Sequence, residues 1–386
     1  MTQQQNTDRI QTTHVGSLPR PHHLLDLMKA RLSGQKYDPA AYDAQVKQAV
    51  ADCVRRQAET GIDVVADGEQ SKPGFFTYVT ERLEGFEPRP NEKRMSFEAE
   101  RSAFPEYYEE YFKQAMLGGS IAPVVPMVCI GPVKYRGRAA IQRDIANLKA
   151  AMKSAGARAA FMPSVAPSGV GRNEYYKNDA EFFAAVASAL SEEYRAIVDA
   201  GLLLQVDDPF LTDRFVDPEL DEAQRQKRAG LYVEAVNAAL AGIAPEKVRF
   251  HTCYGINEGP RIHEAALADV VHHMLAVKAG SYSFEAANPR HEHEYHLWEG
   301  VKLPKDKVLI PGVITHASNI VEHPELIAER LIRYAKLVGR ENVIAGADCG
   351  FSSQASYHTE VHPTVVWAKF EAMRDGARIA SKKLWA

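Results

Sequence analysis

Eight short apolar runs recur along this chain, with helical patterns between them. They lie at 63–67 (DVVAD), 126–130 (PMVCI), 159–163 (AAFMP), 202–206 (LLLQV), 248–253 (VRFHTC), 281–285 (SYSFE), 308–314 (VLIPGVI) and 343–347 (VIAGA). Near-continuous apolarity predicts strands buried on both faces, as in a parallel sheet covered by helices. Most follow a helix-like stretch closed by Gly, as in RRQAETG (55–61) and AIVDAG (196–201), where glycine ends the helix. Eight such units predict a single-domain (β/α)8 TIM barrel, with an open doubly wound sheet as the alternative. Residues 1–28 read as an N-terminal extension: a polar tail, a tight turn at Gly16-Ser17, then a helix start. A long insertion after the first strand, 83–122, carries Tyr107, Tyr108, Tyr111 and Phe112. A connection of that length is a lid, a binding loop or the contact of a homodimer.

Composition narrows the class. With 386 residues, 45% of them hydrophobic, the chain can bury a large core. Its net charge of −4 and lack of a basic stripe argue against nucleic acid as a partner. The start, MTQQQNTDRI, has no positive n-region followed by an apolar h-region, and no apolar run is long enough to span a membrane. A cytoplasmic protein is expected. Four irregularly spaced cysteines predict reduced thiols rather than a disulfide framework.

In a barrel, chemistry gathers at the C-terminal ends of the strands. Those ends carry Asp67-Gly68-Glu69, Asp207-Asp208-Pro209, His251-Thr252-Cys253, Glu285, Thr315-His316 and Asp348-Cys349-Gly350. Ionisable groups are costly in a core unless paired or metal-bound, so their clustering predicts one site. On a strand, positions i and i+2 face the same way. His251 and Cys253 would therefore share a spot, and Cys349 could join them from another strand. With Glu285 they make a nitrogen, sulfur and oxygen set suited to zinc. Cys53 and Cys129 read as small core residues. Zinc with thiolate ligands lowers the pKa of an incoming thiol and leaves its sulfur nucleophilic, which suits attack by sulfur on an alkyl carbon. Glu69 and Asp207 would then pair with a substrate ammonium, and His316 would relay a proton to the leaving group. The cluster His291, His293, His296 reads as a solvated or interface segment. Arg20, Arg136, Arg138 and Arg172 are candidates for holding an anionic substrate group.

These motifs together resemble a known family. TTHVGSLPRP near the start, DGEQ at 67–70, GPV at 131–133, QVDDP at 205–209, HTC at 251–253, SFEAAN at 283–288, GVITHASNI at 312–320 and ADCG at 347–350 resemble, in order, the C-terminal catalytic barrel of cobalamin-independent methionine synthase. The resemblance implies a (β/α)8 barrel, zinc on His251, Cys253, Glu285 and Cys349, and homocysteine held by Ser17, Glu69 and Asp207. It also implies His316 as proton donor. The chain departs from the pattern where Lys134-Tyr135-Arg136-Gly137 replaces a Trp-bearing stretch after GPV, at Asp208, and at Ile314. These departures argue against a folate donor and leave a corrinoid carrier as a candidate. Short relatives include epoxyalkane:coenzyme M transferases, so a different thiol or alkyl donor is the first alternative. A decarboxylase-like barrel and a non-catalytic thiol-binding paralogue are the others.

Overall fold

The computed structural model describes residues 5–92, 97–114, 119–122, 124–255 and 258–386. In chain order its strands are β1 (Val64–Val65), β2 (Leu83–Pro88), β3 (Met127–Tyr135), β4 (Ala159–Val165), β5 (Arg172–Asn173), β6 (Leu203–Asp207), β7 (Val248–His251), β8 (Ser281–Phe284), β9 (Val308–Ile314) and β10 (Gly346–Ala347). Seven form one parallel sheet in the order β1-β4-β6-β7-β8-β9-β10. Thr12 bridges to Ala345 beside β10 and Thr13 to Val64 of β1, both in parallel. The sheet thus meets itself through the N-terminal segment, a TIM-barrel-like α/β fold.

Two expectations about the staves change. The run 126–130 does not enter the barrel; β3 pairs antiparallel with β2 in a separate three-stranded sheet. Its burial alternates beyond Cys129, as expected of a strand with one open face. The eighth position is taken by Thr12–Thr13, inside what reads from sequence as an extension. Two threonines held by backbone bonds, Thr13 N to Ala345 O at 2.8 Å and Val64 N to Thr12 O at 3.1 Å, leave no apolar run to recognise.

Local chemistry explains the helices. Asp38 caps the helix Pro39–Thr60 by accepting from Ala40 N, proline sits in its first turn, and Gly61 ends it at φ 95°. Asp221 and Gln224 form a reciprocal capping box at Glu222–Ala239. Every residue of β6, β7, β8 and β9 is buried, which accounts for their apolar sequences. Inside the barrel lies a fully buried arginine, Arg249, which donates to Thr13 Oγ1 and His14 O, each at 2.9 Å. Its guanidinium lies 3.8 Å from the Phe161 ring centroid. It fastens the closing segment from within. No helix of the described residues is long and apolar enough to cross a membrane.

Candidate active site

The register of the barrel levels its strand ends. Asp207 pairs with His251, and His251 with Ser283, so three neighbouring strands finish together. Beyond β7, Thr252 N donates to Ser283 O at 3.1 Å and its hydroxyl to Asp208 O at 2.9 Å. These bonds hold Cys253 at the strand end. Across the barrel, Asp348 Oδ1 accepts from the N–H groups of Ala286 and Ala287, both at 2.8 Å. This ties the exit of β10 to that of β8 and presents Cys349. Gly312 makes room, since a Cβ there would lie 2.0 Å from Asp348 Oδ1.

The outcome is a tight donor set. Ligand atoms of His251, Cys253 and Cys349 all lie within 4.8 Å of one another, and all three residues are buried. The two sulfurs are 3.1 Å apart, hydrogen-bonded to each other and not joined as a disulfide. His251 Nδ1 is 3.2 Å from Ser283 Oγ, while Nε2 is buried without a partner. A metal ligand is oriented in this way: one ring nitrogen is bonded and the other is free. Burial, and then the nearby Arg249, push His251 down to about 3, so the imidazole is neutral, its ligand form. The shared hydrogen bond with Cys349, and then burial, push the Cys253 thiol up. A cation would allow both sulfurs to ionise. This donor set fits zinc.

Glu285 is not in that group. Its carboxylate accepts from Tyr254 N at 2.9 Å, Arg261 at 2.9 Å and Asn288 at 2.6 Å, and it forms a second group within 4.8 Å with His316 and Asp348. His316 Nε2 lies 3.1 Å from Gly255 O, and its Nδ1 is buried without a partner. Burial and then Arg261 lower His316 to about 4. Burial and then Glu285 raise Asp348 to about 6, and its Oδ2 also lacks a partner.

Ser17, Glu69, Asp207, His251, Cys253 and Cys349 line one small cavity, with Phe75 and Ser353. Glu69 reaches it from a left-handed backbone at φ 53°, a conformation costing a non-glycine residue roughly 1–3 kcal/mol. Its Oε2 is buried and unpartnered. Asp207 accepts from Gln205 at 2.9 Å; burial, and then Glu69, raise its pKa well above the usual carboxylate range. Ser17 fits beside Gly350, where a Cβ would stand 2.0 Å from its hydroxyl.

Other sequence candidates lie elsewhere. Arg20 is buried, donating to the carbonyls of Ser352, Glu69 and Lys72, so it braces the loops rather than a ligand. Arg136, Arg138 and Arg172 are at the surface. His291 is not solvated: it is buried between Glu264 and Glu294, which hold it up at about 9 against burial, and it stacks on Tyr254 at 3.9 Å. His293 and His296 are exposed. Reading the sequence also missed Arg261, a lone loop arginine with no motif around it, and gave no role to Asp348, whose only signal was its place beside Cys349.

The fold is a TIM-barrel-like parallel barrel that gathers two thiols, an imidazole and carboxylates at its strand ends. The family model described as "Cobalamin-independent synthase, Catalytic domain" matches residues 10–117 and 131–374, and the chain belongs to that family. The methionine synthase of Sulfolobus acidocaldarius is 24% identical over 342 residues, spanning 88% of this chain and 85% of that protein. That of Saccharolobus solfataricus is 21% identical over 376 residues, spanning 97% and 95%. A B12-independent methionine synthase from Shewanella sp. W3-18-1, solved with selenomethionine, shares the fold at a TM-score of 0.73 and 19% identity. It covers 97% of this chain and 99% of that one. The chain is a methyltransferase.

Proposed function

We propose that this methyltransferase is zinc-dependent and acts on a thiol, with homocysteine as the acceptor that fits best and methionine as product. The observation that carries this reading is one cavity lined by His251, Cys253 and Cys349 together with Glu69 and Asp207. His251, Cys253 and Cys349 would hold the zinc. Glu285 would complete its shell on release from Arg261 and Asn288. Zinc bound there would supply the Lewis acidity that keeps an incoming thiol ionised at neutral pH.

The chain's own groups do the rest. Glu69 and Asp207 line the same cavity, and an amino-acid ammonium between them would relieve their repulsion and satisfy Glu69 Oε2. Ser17 would hold the substrate beside them. His316, neutral at rest, would take up at Nδ1 the proton released by the thiol and give it up to solvent after turnover. For the donor we favour a corrinoid carrier over a folate. Tyr135, in the stretch that replaces a pterin-stacking Trp in the family pattern, is committed to Glu193 by a 2.6 Å hydrogen bond.

Elemental analysis of the purified chain beside Cys253→Ser tests the reading. About one zinc per chain, lost in the variant, supports it and justifies assaying homocysteine with methyl donors. No zinc in the wild type, even after reconstitution, overturns it.

A further inference from the structure

The long insertion carries aromatic residues at 104, 108, 111 and 112, the spacing of one helix face. Such a face must be covered. In the structure it does not join the main core. Tyr108 and Tyr111, with Phe97, Phe104 and Phe112 packed against them, form a separate cluster whose other members are Cys253 and Cys349. The rings therefore cover the two sulfurs of the donor set.

Hydrogen bonds tie the cover to the segments at 258–263 and 360. Tyr111 donates to Glu360 and accepts from Glu258 N, each at 3.3 Å, and Glu100 accepts from His263 N at 2.6 Å. Glu100 is buried with its second oxygen unpartnered, which weakens the closed arrangement. The cavity that Cys253 and Cys349 also line, with no residue of 97–112 in its wall, measures about 40 Å³, room for a few waters. A site that receives a ligand has roughly 300 Å³ or more. An amino-acid thiol and an alkyl donor do not fit together under a closed cover.

We propose that the aromatic face of residues 97–112 is a lid that covers Cys253 and Cys349 on the side from which an alkyl donor approaches. It opens to admit the alkyl donor to the thiols, and Tyr108 and Tyr111 determine which donors enter. The inference rests on the thiol-alkylating reading for its purpose, but the barrier itself is measurable without turnover.

Iodoacetamide is a small alkyl donor that reports access directly. The full chain, treated with chelator, is alkylated over time, and each cysteine is followed by peptide mass spectrometry. The quantity read is the rate at Cys253 and Cys349 divided by the rate at Cys53, a buried thiol on the helix Pro39–Thr60 outside the cluster. The ratio cancels any general loosening of the fold. Tyr111→Ala should raise it by about tenfold or more, as expected for loss of a locally closed unit. Tyr111→Phe, which keeps the ring and loses only the hydroxyl, should raise it by less. An unchanged ratio in both variants overturns the lid. A wild-type chain that takes up no zinc would instead refute the proposed function and leave the ratio to judge the lid alone.

Discussion

Among the clusters of buried charge in the described residues, two are built on opposite plans. Around Glu193 every oxygen is used: Oε1 accepts from Tyr78 and Ser164, and Oε2 from Arg82 and Tyr135. Arg82 also pairs with the buried Asp144. At the strand ends, Glu69 Oε2, His251 Nε2, His316 Nδ1 and Asp348 Oδ2 are buried with no partner. Burying a polar group without a bond costs roughly 1–3 kcal/mol. The satisfied cluster stabilises; the unsatisfied one is arranged for something that binds.

The comparison can be broken at either end. The largest effect is expected from Cys349→Ser, which should lose bound zinc and, with it, several kcal/mol of transition-state stabilisation, about a thousandfold in rate. Folding should be retained. Metal analysis and a methylation assay on the folded variant check both, and full activity would refute the metal role. Next comes Glu193→Ala. It removes one of Arg82's two carboxylate partners, leaves Tyr78, Ser164 and Tyr135 without their acceptor and should cost about 3–5 kcal/mol of stability, read by urea unfolding, with turnover per folded molecule unchanged. A stability loss below about 1 kcal/mol would remove the distinction between the clusters, since that is the worth of an exposed pair. Glu69→Gln should do the reverse. KM for the amino thiol should rise by roughly 30-fold, the value of a charge-assisted hydrogen bond, while stability holds or improves because a repulsion with Asp207 is gone. A destabilised Glu69→Gln with unchanged KM would make Glu69 a scaffold residue.

The smallest effect is a pH signature. Burial alone would raise Glu193, but Arg82, Tyr135 and Lys72 outweigh it and hold it at about 2. A carboxylate depressed in the fold stabilises above its unfolded pKa, and this is lost as pH falls from about 4.5 toward 2. Asp208, raised by burial to about 7, has the opposite sign: the fold binds its proton more tightly, so stability declines as pH climbs from about 4 to 7. Unfolding free energies across pH 2–8 should show Glu193→Gln flattening the acid limb and Asp208→Asn flattening the neutral one. Superimposable curves for wild type and both variants would contradict these assignments.

Much of this was legible in the residues. Seven of the eight apolar runs contribute to the parallel sheet because two-sided burial demands unbroken apolarity, and a glycine such as Gly61 marks a helix end locally. His251 and Cys253 were legible because a strand's period of two makes spacing equivalent to direction. The run 126–130 misled because a short apolar stretch looks the same in a barrel and in a side sheet. Thr12–Thr13 was invisible because polar bonds, from the backbone and from the threonine hydroxyls, recruit it in place of an apolar run.

The sequence by itself determined which groups stand at the strand ends, since period and burial are local properties. Only the tertiary structure decided how those groups divide. It placed Cys349, nearly a hundred residues from Cys253 in sequence, 3.1 Å from it, and it gave Glu285 to Arg261. It also laid the aromatic insertion over the thiols. Each of these depends on which strands lie side by side and which loops cross their ends, and a contact between distant segments leaves no periodic trace in either one.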